Sequence, residues 1–149
     1  MTVYKLTHRR HIEYKLHTGE SVTDDRVIGF FTSEERAESA ADSLRNKAGF
    51  ALSPADFFID RYEVSGESGA VYLVEHSYYI EDDRIDNVVE IGVFGSEDEA
   101  MSAAAEYERT ASFPVGSHVW DEDFDIDNYL SVAEYKPDAE DFADGFSVE

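Results

Sequence analysis

Ile28-Gly29-Phe30-Phe31-Thr32-Ser33-Glu34-Glu35-Arg36-Ala37 is answered further along the chain by Ile91-Gly92-Val93-Phe94-Gly95-Ser96-Glu97-Asp98-Glu99-Ala100. Both stretches follow one plan: a short apolar run with a glycine, an aromatic, then serine and acids opening an alanine-rich segment. The plan predicts a strand that runs directly into a helix. A hydroxyl at Thr32 or Ser33 can accept from a first-turn amide, and Glu34 and Glu35 suit the positive end of the helix dipole. Ala37, Ala40, Ala41 and Leu44 then fall at the spacing of one narrow apolar stripe, small enough to lie close on a sheet.

Working outward, Val3 to His8 alternates with period two, which puts Tyr4, Leu6 and His8 on one strand face. Arg9 to Arg26 is polar and reads as a long hairpin connection, with Ile12 to Leu16 able to extend the first strand. Val27 to Phe31 is the second strand, with Ile28 and Phe30 on one face and Phe31 on the other. Gly49 suits the position just past the helix end, and Phe57 to Tyr62 forms a third strand. The first unit, residues 1–64, is therefore read as ββαβ.

After a polar, glycine-containing linker at 65–70 the order begins again in residues 71–135. Val71 to His76 matches the first strand, with Val, Tyr and His at the same steps. Ser96 opens the second helix with Glu99 placed for a capping box, and Ala100, Ala103, Ala104 and Tyr107 form its stripe. Asp123 to Tyr129 answers Asp56 to Tyr62. The expectation is an α+β protein of two tandem ββαβ repeats related by pseudo-twofold symmetry. Their helices pack on antiparallel or mixed sheet, and an acidic C-terminal tail follows at 136–149.

The full pattern, Val-Tyr-x-Leu-x-His, then Ile-Gly-x-Tyr/Phe-x-Ser with an alanine-rich helix, then Gly-Phe, then Phe-x-Ile-x-x-Tyr, resembles a family of small bacterial domains of unknown function, taken twice. Val3, Leu6, His8, Ile28, Gly29, Phe50, Phe57, Ile59 and Tyr62 carry it in the first unit. Val71, His76, Ile91, Gly92, Phe113, Phe124, Ile126 and Tyr129 carry it in the second, where Ser112 stands in place of the glycine before Phe113. The ending from Asp138 to Phe146 is similar as well. The resemblance implies the fold and brings no activity with it.

Composition bounds what such a protein can do. Twelve Lys and Arg against 34 Asp and Glu give 149 residues a formal charge of −22. Phosphate backbones and anionic lipid need basic residues to replace their counterions, so direct nucleic-acid and membrane binding are not expected. Basic protein partners are favoured, because opposite charge speeds encounter. A solvated surface tuned to a salty cytoplasm, a decoy for a phosphate-binding groove, and an acidic face for one basic partner are the three readings. Self-repulsion at this charge is expected to weaken the fold in dilute buffer, so the thermal midpoint should rise with added salt. A flat midpoint from dilute buffer to molar salt would count against it. Without cysteine there is no disulfide framework or thiolate chemistry. With neither a signal-like N-terminus nor an apolar run of membrane length, the chain reads as cytoplasmic.

Two constellations compete for a site. His8 and His76 end equivalent strands and could meet in a cleft between the repeats, serving a small ligand or an acid–base pair. The simpler reading is that each closes the apolar face of its own strand. Asp121, Asp123, Asp125 and Asp127 alternate. Counted from Asp121, the glycine and glutamate positions of an EF-hand loop hold Ile126 and Val132, so that calcium motif fails. The alternation instead reads as an edge strand with an acidic solvent side. Phosphate-binding glycine loops, a nucleophile elbow and His-Glu-x-x-His are missing from the sequence. His11, His17 and His118 read as surface residues, and Trp120 as a lid on the second core.

A helix covers only one sheet face. Phe31, Phe58 and Tyr62 in the first unit, with Phe94 and Tyr129 in the second, are assigned to the other. An aromatic face needs a cover, the simplest being the other repeat, with a homodimer or a ligand as alternatives. The expected function is that of a non-enzymatic acidic interaction protein, of the inhibitor, immunity or decoy type, binding a basic protein surface as a monomer or homodimer. Asp121, Asp123, Asp125, Asp127, Asp138, Asp141 and Asp144 would form its binding face. The alternative is a ligand-binding protein or enzyme using His8 and His76 in the cleft. No catalytic residue, metal or cofactor is assigned.

Overall fold

Period-two patterning carries the N-terminal strand well past the apolar residues that announce it. In the computed structural model, which describes residues 1–15, 21–52, 54–66, 68–80, 85–110, 118–120 and 125–140, β1 runs Thr2–Lys15 and β2 runs Ser21–Phe31. The polar stretch read as a connection is thus mostly strand. It alternates charges across the ladder, with Arg9 opposite Asp25 and Arg10 opposite Asp24. Arg9 donates from Nε and Nη2 to the two Asp25 carboxylate oxygens at 2.9 and 3.1 Å. Opposite charges facing one another are worth a few tenths of a kcal/mol or somewhat more per pair, which suits a ribbon with little apolar surface to bury.

The protein divides into two compact units, Met1–Val64 with Tyr135–Glu149, and Ser65–Glu134. The C-terminal segment, read from the sequence as a separate tail, is grouped with the first. Each unit carries a β-hairpin, a helix and a returning strand, so the fold is α+β with repeated strand and helix units.

In the first unit, α1 (Glu34–Leu44) follows β2, a short 3-10 helix spans Phe50–Leu52, and β3 is Phe57–Glu63. The sheet order is β2-β1-β3, with both pairs antiparallel. Ser33 is the helix N-cap, its hydroxyl accepting from the Arg36 amide at 3.2 Å. The helix stops at Leu44 with Arg45 as C-cap, ahead of Gly49, whose φ of 85° serves the turn into Phe50 instead. Met1 and Val64 close the sheet's end through two backbone bonds, 2.7 and 2.8 Å long.

One irregularity decides which residues reach the core. Leu6 pairs with Gly29 and Thr7 with Val27, so Ile28 is an extra residue in β2, a β-bulge. Strict alternation sets Ile28 with Phe30 and sends Phe31 to the opposite face. The bulge corrects this: Ile28 and Phe31 both pack under α1, with Leu6, Ala37, Ala40, Ala41, Leu44 and Phe50. Tyr4, Phe57 and Ile59 flank that cluster. Burying each large apolar side chain there contributes roughly 1.5–3 kcal/mol. Phe30 takes the other face and is fully buried, with the Tyr135 ring 5.1 Å away and Tyr62 at 6.4 Å. Phe58 stays 43% exposed beneath the Arg9 guanidinium, which lies 4.9 Å from its ring centre.

The second unit repeats the device. β4 (Val71–Ile80) pairs antiparallel with β5 (Ile85–Phe94), Val74 facing Gly92 and Glu75 facing Glu90, so Ile91 is the bulged residue. Phe94, like Phe31, therefore packs on the helix side, beside Ile91 and Val74 under Ala100 and Ala104 of α2 (Glu97–Thr110). The absent Cβ of Gly92 would lie 2.7 Å from the Phe94 ring. Glycine is there because the aromatic two residues on folds over it. The Ser96 hydroxyl accepts from the Glu99 amide at 3.2 Å, capping α2.

Past the helix this unit departs from a plain ββαβ order. A short strand, β6 (His118–Trp120), pairs with the start of β7 (Asp125–Tyr135), and the sheet order is β5-β4-β7-β6. β7 is consequently an interior strand. The acidic edge strand expected at Asp125 and Asp127 is corrected: their backbone faces Trp120 and His118 across the ladder, and β6 takes the edge.

Candidate functional site

The two histidines are set by the strand faces that carry them. His8 lies on the face shared with Tyr4 and Leu6 and is fully buried. Its ring packs edge-on to Phe50 at 4.9 Å and tilted against Phe57 at 4.7 Å. His76, 1% exposed, meets α2 of its own unit, its Nδ1 lying 2.8 Å from the Tyr107 hydroxyl. The rings stand 5.5 Å apart. The difference is legible in the helix stripes, where Leu44 holds the place that Tyr107 holds in the second. Aromatic rings enclose one imidazole, and the other is hydrogen-bonded by a phenol.

This arrangement can orient a ring and hold a tautomer. Removing the hydroxyl with Tyr107→Phe is expected to lower stability by about 1–2 kcal/mol, the cost of taking one partner from a buried polar group. Thermal unfolding of the variant measures that loss. The 15N shifts of His76 would report a changed tautomer.

The acids fall into different situations. Asp121, Asp123, Asp141 and Asp144 lie outside the described residues, and Asp125 and Asp127 are placed by backbone only, at the start of β7. Asp138 is placed in full. Its carboxylate accepts from the Thr32 amide at 2.9 Å and from the Thr32 hydroxyl at 2.9 and 3.2 Å. Arg36 Nη1 stands 3.6 Å away. The Asp138 amide donates to the Phe30 carbonyl at 2.8 Å. This aspartate therefore sits at the N-terminal end of α1, where amides and dipole favour negative charge. It is held by its own unit, unlike an acid presented to solvent.

Around the sheet and helices, cations lie beside carboxylates. Arg45 sits against Asp42 at 3.1 Å, Arg61 against Glu63 at 2.7 Å and Arg109 against Glu106 at 2.5 Å. The Thr2 hydroxyl, with help from Arg61, holds the Glu63 carboxyl below its ordinary pKa. Glu34, Glu35, Glu97, Asp98 and Glu99 are exposed in the first turns of the two helices. Among the described residues, no three His, Asp or Glu side chains converge as a metal site, and no helix is long and apolar enough to cross a membrane.

Residues 69–138 match the model of a family described as Domain of unknown function (DUF7336). That span contains β4 through β7 whole, and it supports the resemblance to a small domain family of unknown function. No curated protein and no solved structure matches the chain.

Sequence reasoning missed Thr32 as the partner of Asp138 and Tyr107 as the partner of His76. Tyr107 had a signal, since it ends the α2 stripe on the face turned to the strand bearing His76. Asp138 had another, since Pro-Asp announces a turn.

Proposed function

We propose that the protein is a non-enzymatic acidic interaction protein that engages a basic protein surface in the cytoplasm, built from tandem copies of one ββαβ domain. The excess of 34 acids over 12 bases carries the first part. Arg9, Arg36, Arg45, Arg61 and Arg109 each already lie against a carboxylate, which leaves the outward field to the remaining acids. The shared bulge at Ile28 and Ile91, with glycine and phenylalanine at the same steps beyond it, supports the tandem origin. The binding face is assigned to Asp121, Asp123, Asp125 and Asp127, with Asp141 and Asp144.

A ligand cleft built on His8 and His76 draws less support, since each ring is buried among residues of its own unit. The test is affinity capture from the native host at low and high salt. A basic protein retained at low salt and released at high salt is the expected result. Capture that ignores salt, or of acidic partners, would overturn the reading.

A further inference from the structure

The end of β7 and the segment after it are held against the first unit by several separate contacts. Tyr135 packs on Phe30, the Asp138 amide donates to the Phe30 carbonyl, and the Asp138 carboxylate holds Thr32 and Arg36. Ser43 Oγ reaches Glu140 at 3.4 Å. Asp138 adopts φ 67°, a left-handed conformation that aspartate tolerates better than most residues. Gly29 completes the seat, because a Cβ there would stand 2.5 Å from the Ala139 carbonyl oxygen. Backbone, carboxylate, ring and a glycine that leaves room all select the same short segment.

The second unit holds its opening segment in a like manner. Ser65 Oγ donates to Glu99 at 3.0 Å, and Ser68 Oγ donates to the Gly95 carbonyl at 2.8 Å. A Cβ on Gly95 would collide with the Ser65 carbonyl. Ser65 follows β3, and Tyr135 ends β7. Each unit is thus completed by the segment that, along the chain, comes after the other unit's last strand.

We infer that the corner where β2 meets α1 is a strap-binding site, whose ligand is the turned, aspartate-bearing segment Tyr135–Glu140 supplied by this chain itself. The site recognises a carboxylate on a left-handed turn, seated on the amide and hydroxyl of Thr32 just ahead of α1, with Gly29 leaving room for the next residue. It accepts the same strap from a second molecule when its own is disabled.

Asp138→Gly in the full-length protein keeps the left-handed turn and removes the carboxylate. Amide exchange at Thr32 should then quicken about tenfold or more, the loss expected for a hydrogen bond to a charged group. Exchange in the β1–β3 ladder should stay unchanged. Asp138→Asn, which retains one acceptor oxygen, should restore part of the protection. A synthetic peptide of residues 133–142 should re-protect Thr32 in the glycine variant. It is needed at millimolar concentration, since a short tether supplies an effective concentration of that order. The same peptide with alanine for Asp138 should not protect. Equal Thr32 exchange in wild type and Asp138→Gly would overturn the seat. Normal loss of protection with no rescue by peptide would overturn recognition in trans.

Discussion

Gly95→Ala is expected to destabilise the second unit by about 3 kcal/mol, near the upper end of what inserting one methyl into a packed site costs. The new Cβ would overlap the Ser65 carbonyl oxygen and stand 2.5 Å from its carbon and 2.6 Å from its Oγ. Backbone is the obstacle here, so a rotamer change cannot relieve it. Either the Ser65–Ser68 segment moves, breaking the bonds to Glu99 and the Gly95 carbonyl, or the β5–α2 corner opens. Gly95 has no positive φ to excuse it, so the glycine is there for space. Denaturant unfolding would measure the change. A loss under 1 kcal/mol would mean that this segment yields freely. Gly92→Ala is the natural comparison, since it meets a side-chain ring that can turn aside at smaller cost.

Reversing Asp121, Asp123, Asp125 and Asp127 to Lys is expected to cut the association rate with the captured basic partner by at least tenfold at low salt. The difference from wild type should shrink as salt rises, because steering is screened beyond roughly 10 Å at 0.1 M. Asp138 is left out of this set, since its carboxylate holds Thr32 and its reversal would disturb the first unit. His8→Ala and His76→Ala should lower stability, both rings being buried, with association by the folded fraction unaltered. Stopped-flow or surface-based kinetics on both sets separates the proposals. Loss of binding in the histidine variants alone would refute the acidic-face reading.

Both helices were legible because their stripes are written in alanine and each start in a serine followed by acids. Local spacing suffices for that. The strand length was hidden, because Arg9, Arg10, Asp24 and Asp25 look like a solvated loop until the ladder sets them opposite one another. The faces of β2 and β5 were misread for a geometric reason: alternation assumes that every residue advances the pleat, and a bulge lets one not count. β6 is three residues long, too short for a period to show. At the candidate sites, burial of His8 and His76 follows from their strand faces, whereas the Tyr107 partner depends on helix placement. The seat of Asp138 joins residues 106 apart in the chain, and no local pattern encodes such a meeting.

The bulge also has a consequence for how lengths vary among related chains. Each of β2 and β5 holds one residue more than its partner strand requires, so the ladder would close without it. A copy shortened by a single codon at Ile28 or Ile91 would still form its hairpin, with the ladder partners and aromatic faces beyond that point unchanged. A gap of one residue at Ile-Gly would therefore remove one apolar side chain from under the helix and leave the register on either side of it intact.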